Sequence, residues 1–467
     1  MHYVSTRGEA PTLGFADAML AGLARDGGLY VPHGLPHWSP SDIRTLAGLS
    51  YAEAATRIIL PFTGGDVGEA ELGAMAREAY AGFRHAARAP VAQIDDNLFL
   101  AELFHGPTLA FKDFAMQLLG RLMNDALRRR GARATIVGAT SGDTGAAAIE
   151  AFGGQSQADI FILFPHGRVS EVQRRQMTCV DKPNVFAVAI EGDFDDCQAL
   201  VKGLFNDLPL RDALKLSGVN SINWARIVAQ IVYYFTCAVA LGAPSRAVSF
   251  AVPTGNFGDV LAGYYARKMG LGIERLVIAS NENDILPRLL ETGVYRTAKV
   301  TPTRSPSMDI QVASNFERAL FEAYSRDSRA IRALMAQLAE TGEFTVARGP
   351  IEALRREFEA SRASEAECAD EMARVHREAG IVVDPHTAVG VHAARAALAR
   401  HPATPMIALA TAHPAKFPEA VLAATGATAP LPAHLADLMA RQESFDVLPD
   451  DLAALANYVS KRARAAA

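Results

Sequence analysis

The chain has 467 residues, of which 50% are hydrophobic and 21% are charged, a composition typical of a well-packed protein of two or three domains. The formal net charge of −5 provides no basic surface for nucleic acid, and the longest apolar run, residues 227–241, is too short for a membrane span. Four scattered cysteines and an N-terminus without an apolar stretch argue against a disulfide framework, a zinc site and a secretory signal. We therefore expect a cytoplasmic protein that binds no nucleic acid, membrane or metal.

Apolar periodicity predicts a mainly helical N-terminal region followed by alternating strands and helices. In the N-terminal region, helices are expected at 15–23 and 69–83, with a short strand ending at Pro32 between them. Further along, strands are predicted at 97–103, 134–139, 160–164, 185–190, 247–252, 275–279 and 406–410. Helices are predicted at 113–130, 145–152, 227–241 and 260–269, and a charged, exposed helical insertion is expected at 325–378.

This alternation predicts an α/β fold of open, mostly parallel sheets flanked by helices, because parallel strands need crossover connections and helices usually provide them. We expect a mainly helical N-terminal domain at 1–92 and a smaller α/β domain at 136–215. A larger domain is expected to combine two separate segments, 93–135 and 216–467, with the helical insertion near 325–378 inside the second.

Lys112 stands in an unusual setting for a lysine. The residues on both sides of the Lys112–Asp113 pair, 109–111 and 114–116, are apolar or small. Burial of an ammonium group lowers its pKa, which leaves the amine available to attack a carbonyl carbon. Most lysines are surface residues, so Lys112 alone does not define a site.

A glycine-containing turn, residues 253–259, joins the strand predicted at 247–252 to the helix predicted at 260–269. Gly255 and Gly258 allow backbone amides to turn toward a bound anion, and the helix N-terminus adds partial positive charge. The turn matches neither the dinucleotide-binding fingerprint nor a nucleotide P-loop. Taken alone, an ordinary connection between a strand and a helix explains it equally well.

A second polar turn contains Ser141, Asp143 and Thr144 and lies between the strand predicted at 134–139 and the next helix. Its hydroxyls and amides suit a carboxylate or a phosphate, although a simple helix cap by Asp143 or Thr144 would explain the same residues. Ligands of α/β proteins bind at the carboxyl ends of parallel strands, so two such turns together favour a ligand site. A buried lysine amine and a separate phosphate site are what pyridoxal 5'-phosphate requires of a protein.

Segments of one known pattern extend over nearly the whole chain, at 3–8, 26–32, 105–114, 141–145, 220–226, 253–258, 305–310, 384–388 and 411–417. The most specific are the lysine segment, which contains FKDF, and the segment TAHPAKF at 411–417. Together they resemble the threonine synthase family of type II pyridoxal-phosphate enzymes, in the longer form found in bacteria and fungi. The resemblance implies two sheets with the cofactor between two lobes, and a Schiff base between the cofactor and Lys112.

The resemblance also implies roles for individual residues. Thr411 would hydrogen-bond the pyridine nitrogen, and Ser141, Asp143 and Thr144 would lie near the substrate carboxylate and the cofactor ring hydroxyl. The cofactor phosphate would be bound at the glycine turn by the backbone amides of Gly255, Asn256, Phe257 and Gly258. Asp259 is a further cofactor-binding candidate.

A further set of polar residues, beginning at Asn220, is a candidate for binding a phosphate of the substrate itself. A guanidinium group matches phosphate geometry, although an ion pair between domains would explain the arginine as well. His386 and His413 are more typical of hydrogen-bonded loop residues than of catalysts. No role is assigned to the segment 305–310. The substrate-phosphate candidates are Asn220, Ser221, Asn223 and Arg226.

The implied reaction converts O-phospho-L-homoserine and water into L-threonine and phosphate by γ-elimination and β-replacement, in a monomer or homodimer. Three alternatives stay open: a related phospho-lyase or dehydratase that releases 2-oxobutanoate, a Rossmann-type nucleotide-binding protein, and a non-catalytic binding module. Residues 220–226 favour the synthase over the lyase, and the failed dinucleotide fingerprint argues against the nucleotide-binding protein.

Overall fold

The computed structural model describes residues 1–218 and 220–466. Within these residues the strands are β1 (Tyr3–Ser5), β2 (Tyr30–Pro32), β3 (Val91–Asp95), β4 (Leu98–Glu102), β5 (Ala134–Ala139), β6 (Ala158–Pro165), β7 (Val185–Glu191), β8 (Leu216–Ser217), β9 (Val248–Pro253), β10 (Ile273–Ser280), β11 (Val294–Arg296), β12 (Glu343–Thr345), β13 (Phe358–Arg362), β14 (Met406–Ala410) and β15 (Asp446–Pro449).

The α-helices in the same residues are α1 (Phe15–Ala21), α2 (Pro40–Arg44), α3 (Tyr51–Thr63), α4 (Glu69–Ala81), α5 (Lys112–Arg129), α6 (Asp143–Phe152), α7 (Glu171–Thr178), α8 (Phe194–Asn206), α9 (Leu208–Leu214), α10 (Trp224–Ala240), α11 (Gly258–Lys268), α12 (Ile285–Thr292), α13 (Phe316–Ala323), α14 (Ser328–Thr341), α15 (Arg348–Glu357), α16 (Glu365–Ala379), α17 (Pro385–Arg400), α18 (Pro418–Thr425) and α19 (Leu452–Ser460).

Two sheets organise the α/β part of the chain. The larger has the strand order β13-β10-β9-β14-β4-β3 and is parallel except for the β3–β4 pair at its edge. The second has the order β15-β7-β6-β5-β8 and is parallel throughout. The predicted fold class is thereby confirmed, and strands β5 and β14 have the bounds that the apolar pattern predicts.

Local sequence explains why the helices begin and end where they do. Ser50 caps α3: its hydroxyl accepts a bond from the Glu53 amide, and the Glu53 carboxylate accepts a bond of 2.8 Å from the Ser50 amide. The helix ends at Gly64, whose φ of 61° is the left-handed conformation that glycine adopts without strain.

The predicted apolar helix at 227–241 is α10, which is almost wholly buried and packs against α3, α5 and α11. In the described part of the chain, no helix combines the length and apolarity that crossing a bilayer requires.

The prediction of a charged, exposed helical insertion at 325–378 is wrong in one respect. This segment contains two strands, β12 and β13, and β13 pairs in parallel with β10 as the edge strand of the larger sheet. The dense charges of the flanking helices obscured the strand. Phe358, the first residue of β13, is buried, and the charged residues around it gave no indication of this.

The boundaries of the three domains, which occupy four segments of the chain, remain a proposal. We propose that the smaller domain is the unit built on the second sheet, which begins at residue 134 with β5. It also includes residues 446–460, since β15 pairs with β7 and α19 packs on α8.

The close contact between α5 and α6 gives a stability prediction. A Cβ at Gly120, inside α5, would lie 2.6 Å from the carbonyl oxygen of Ala151 in α6. Gly120→Ala is therefore expected to lower the free energy of unfolding by about 1–2 kcal/mol, since overpacking outweighs the better helix propensity of alanine. Urea unfolding followed by circular dichroism measures the change.

The matched control is Gly349→Ala, in α15, where no atom lies within 4 Å of the added Cβ. This variant should be neutral or gain up to about 1 kcal/mol. Equal effects of the two substitutions would contradict the contact between α5 and α6.

Candidate active site

The carboxyl ends of β4, β14 and β9 lie at one edge of the larger sheet, because these neighbouring strands run parallel. The chain after β4 leads to the start of α5, and the turn after β9 leads to the start of α11. The residues after β14 are bonded to those before α5, with the Phe111 amide donating to the Thr411 carbonyl at 2.9 Å. Lys112, the glycine turn and Thr411 are thereby brought together.

Lys112 is the first residue of α5, and only 9% of it is exposed. Its Nζ lies 3.2 Å from Oδ2 of Asp143 and 3.3 Å from Oγ of Ser307. Burial lowers the pKa of Lys112 from its ordinary value; Asp143 opposes that shift, and the positive charge of Lys416 adds to it. The buried amine that the apolar neighbours predict is therefore present.

Asp143 is shared by two lysines. Its Oδ2 faces Lys112, and its Oδ1 lies 2.7 Å from Nζ of Lys416 and accepts a bond of 2.7 Å from Nε2 of Gln173. Burial by itself would raise the pKa of Asp143, but Lys112 and Lys416 outweigh burial and hold that pKa well below its usual value. The structure thus places this carboxylate between two lysine side chains, Lys112 and Lys416.

The glycine turn is held closely against the segment around Ser307. A Cβ at Gly255 would lie 2.6 Å from the carbonyl oxygen of Ser307, so no side chain fits there without movement of the backbone. Phe257 has a φ of 65°, and its buried ring contacts Phe316 and Phe358. The first amides of α11, which begins at Gly258, have no partner inside the helix and can bind an anion.

Two buried polar residues that the sequence patterns did not reveal connect the loops of the site. The amide nitrogen Nδ2 of Asn315 donates to the carbonyls of Ser221 and Asn256, at 3.1 Å each. Arg318, fully buried, donates to the carbonyl of Ile222 at 2.6 Å and bonds the side chain of Asn315. The segment from Asn220 and the glycine turn are thereby fixed relative to each other.

Two adjoining cavities meet at Lys112. A cavity of about 690 Å³ contains Ser141, Thr144, Asn220 and Ser221 in its wall. A smaller cavity of about 80 Å³ is formed by the glycine turn with Thr411, Asp143 and Arg226. The residues common to both walls are Lys112, Thr144, Ser221, Asn256 and Ser307.

The substrate-phosphate candidates do not all reach a cavity. Asn223 caps α10: its Oδ1 accepts a bond from the Ala225 amide, and its Nδ2 donates to the Met19 carbonyl at 2.8 Å. It is in the wall of neither cavity. Arg226 is buried in the wall of the smaller one, and burial lowers the pKa of its guanidinium to about 10.

His386 and His413 both have hydrogen-bonding partners within the protein. His386 is buried, with Nδ1 at 2.7 Å from Asp384 and Nε2 accepting a bond of 3.2 Å from the Ser307 amide. His413 accepts a bond from the Ala415 amide, and burial, with a smaller contribution from His105, lowers the pKa of His413 to about 4. His386 thus anchors the segment 305–310, for which the sequence suggested no role. The motifs at 305–310 and 411–417 were the only signal for Ser307 and Lys416.

These residues fit pyridoxal 5'-phosphate. The amine of Lys112 is buried and its pKa is lowered. The turn has no room for a Cβ at Gly255 and lies at the N-terminus of α11, and Thr411 completes the wall of the smaller cavity. Parallel sheets that present a lysine and a phosphate-binding turn at their carboxyl edge define a pyridoxal-phosphate-dependent enzyme of fold type II.

Comparison with known proteins narrows this class. Residues 85–348 match the family "Pyridoxal-phosphate dependent enzyme", residues 2–80 match "Threonine synthase N terminus", and residues 387–459 match "Threonine synthase, C-terminal". The chain belongs to the threonine synthase family.

Individual relatives cover the whole chain. A threonine synthase of Pseudomonas aeruginosa is 51% identical over 99% of this chain and 98% of its own length. The crystal structure of a PLP-bound threonine synthase from Brucella melitensis has a TM-score of 0.96 at 60% identity, covering 99% of this chain and 100% of that one. The yeast threonine synthase structure has a TM-score of 0.94 at 37% identity, covering 99% and 98%.

Asp259, at the start of α11, gives a prediction on the pH dependence of stability. Its Oδ1 accepts bonds of 2.6 Å and 2.9 Å from the hydroxyls of Tyr233 and Tyr234. Burial raises its pKa from 3.8 to about 6, against the effect of the two tyrosines. Between these pH values the folded state binds more protons than the unfolded state, so this contribution to stability is lost as the pH rises.

We therefore compare the free energy of unfolding of Asp259→Asn with that of the unsubstituted protein at two pH values. The difference should favour the variant by about 1–3 kcal/mol more at slightly alkaline pH than at acidic pH. Urea unfolding at both pH values measures this difference. Asp450→Asn, at an exposed carboxylate, is the control and should show no such trend. A pH-independent effect of Asp259→Asn would show that the carboxylate is not the group that titrates.

Proposed function

We propose that the protein is a threonine synthase, which converts O-phospho-L-homoserine and water into L-threonine and phosphate, the last step of threonine biosynthesis. Relatives named threonine synthase cover the full chain, which supports this proposal. The structural observation that carries it is the pair of cavities that meet at Lys112, because the reaction needs one anion site for the cofactor and another for the substrate phosphate.

In this proposal the site residues divide by cavity. Lys112 would hold pyridoxal 5'-phosphate covalently, the amides of residues 255–259 would bind its phosphate, and Thr411 would face its ring nitrogen. When bound, the cofactor supplies an electron sink for negative charge at the carbon next to the substrate nitrogen. The Lys112 amine, which burial makes easier to deprotonate, would remove the proton from the substrate Cα and later return one there.

The substrate would lie in the larger cavity. Ser141 and Thr144, at the start of α6, would donate to its carboxylate, since hydroxyls and amides at a helix N-terminus suit an anion. Asn220, Ser221 and, from the adjoining wall, Arg226 would bind its phosphate. Asn223, as the cap of α10, would act by positioning Arg226, and Asp143 would act on Lys112 rather than on the substrate.

Product analysis tests the reaction. Proton and phosphorus NMR of a reaction mixture should show threonine and inorganic phosphate formed in equal amounts from O-phospho-L-homoserine. Formation of 2-oxobutanoate and ammonia in place of threonine would identify the lyase instead, and no turnover would contradict both.

We further propose that the protein works in the cytoplasm as a monomer or homodimer and binds no nucleic acid. Four free cysteines and a net charge of −5 support this proposal. Cell fractionation, light scattering on the purified protein and a filter-binding assay with DNA and RNA test the three parts. Recovery in the periplasm, a larger oligomer or salt-sensitive nucleic-acid binding would each overturn the corresponding part.

A further inference from the structure

Lys416 is a lysine whose side chain is completely buried, at the end of the short 3-10 turn Pro414–Lys416. Its Nζ lies 2.7 Å from Oδ1 of Asp143 and donates to the carbonyl of Thr108 at 2.8 Å. It is in the wall of neither cavity, so it is not placed to touch substrate or cofactor. A buried ammonium costs free energy unless it is paired and bonded, so its position calls for a reason.

The two oxygens of Asp143 have separate partners. Lys416 and Gln173 bind Oδ1, whereas Lys112 and Ser307 face Oδ2, at 3.2 Å and 3.4 Å. The contacts on Oδ1 fix the rotation of the carboxylate and direct the other oxygen at the Lys112 amine. Without Lys416, one of the two cations that keep Asp143 ionised would be missing.

We propose that Lys416 is a positioning residue, which holds Asp143 against the Lys112 amine so that this buried Lys–Asp–Lys array controls covalent attachment of the cofactor to Lys112. The inference rests on the role of Lys112 in the proposed function. Lys416 acts on the Lys112 amine in two ways, by orienting Asp143 and by the positive charge of its own side chain.

The charges around the amine give the direction of the effect. Besides Asp143 and Lys416, charged or titratable groups that act on Lys112 or on Asp143 are Arg226 from α10, Asp259 from α11 and His386 from α17. Lys416 itself also acts on two further groups, the buried Asp113 of α5 and His413. Removing the cation at Lys416 leaves the Asp143 carboxylate to Lys112 alone, which then keeps its proton to higher pH. Removing the charge of Asp143 leaves two cations facing each other, and Lys112 loses its proton at lower pH.

The experiment follows cofactor attachment to the full-length apoprotein as a function of pH. Pyridoxal 5'-phosphate is added, the absorbance of the attached cofactor is recorded, and borohydride reduction followed by peptide mass spectrometry verifies that Lys112 carries it. The variants are Lys416→Met, Asp143→Asn and the double variant. The pH midpoint of attachment should rise by about one unit or more in Lys416→Met, fall in Asp143→Asn and lie between the two in the double variant.

The outcomes separate this inference from the proposed function. If the unsubstituted protein attaches no cofactor at Lys112, the proposed function fails. If it does so but the midpoint of Lys416→Met does not move, or both single variants move in the same direction, only the role of Lys416 is overturned. Lys416→Gln keeps a donor for the Thr108 carbonyl and replaces Lys416→Met if circular dichroism shows that the latter does not fold. If neither folds, an unshifted midpoint in Asp143→Asn overturns the inference.

Discussion

Lys112→Ala is expected to lower the turnover of O-phospho-L-homoserine by at least about a thousandfold and to leave the protein unable to retain pyridoxal 5'-phosphate through dialysis. The side chain of Lys112 lies in the wall of both cavities, and its neighbours Asp143 and Ser307 are within hydrogen-bonding distance of its amine. Steady-state kinetics and the visible absorption spectrum measure the two losses.

Two further variants show whether this loss belongs to the amine. Lys112→Arg keeps a cation beside Asp143 but cannot attack a carbonyl, so it should be as inactive as Lys112→Ala. Lys268→Ala removes a partly exposed lysine that pairs with Glu357, and it should have unchanged activity and spectrum. Substantial turnover by Lys112→Arg would mean that only a positive charge is needed at this position.

Gly255→Ala is expected to weaken the binding of pyridoxal 5'-phosphate by roughly tenfold to a hundredfold. The added Cβ would lie 2.6 Å from the carbonyl oxygen of Ser307, which belongs to the backbone and cannot move without shifting the whole segment. Relief of such a contact costs about 1–3 kcal/mol, and it would displace the amides that we propose bind the cofactor phosphate. Titration of the apoprotein with cofactor, followed by fluorescence, gives the dissociation constants.

The geometry also predicts which glycine substitution in the turn weakens cofactor binding more. A Cβ at Gly258 would have the side-chain nitrogen of Asn315 as its nearest neighbour, at 3.3 Å, with Cδ1 of Ile227 at 3.5 Å and the carbonyl oxygen of Ser221 at 3.9 Å. Gly258→Ala should therefore weaken binding less than Gly255→Ala. Gly34→Ala, where no atom lies within 4 Å, is the neutral control. The reverse order of the two site variants would contradict the placement of the turn against the segment 305–310.

The architecture could be predicted because local signals and the global fold agree over most of the chain. The strand β14 is a continuous apolar run, and β5 is one except for Thr135; both are buried on both faces, which is typical of strands in a parallel sheet. The strand β13 was missed because its pattern is short and lies between charged helices. Its pairing with β10 depends on residues about 80 positions away, and no local pattern contains that information.

From the sequence, only residues with a chemical signature of their own could be proposed as site residues. Lys112 and the glycine turn have such signatures. Lys416 and Asn315, in contrast, act through partners that are distant in sequence, Asp143 and Ser221, and the segment around each gives no indication of that partner. Asn223 is chemically suited to bind a phosphate, but its side chain caps the helix α10, and the sequence alone does not distinguish these two uses.

The covalent role of Lys112 can be tested by reducing the holoenzyme with borohydride, digesting it and locating the pyridoxyl group by mass spectrometry. We expect a single modified peptide with the group on the side-chain nitrogen of Lys112. Modification of another lysine, such as the buried Lys416, or recovery of the Lys112 peptide without the group, would contradict this role.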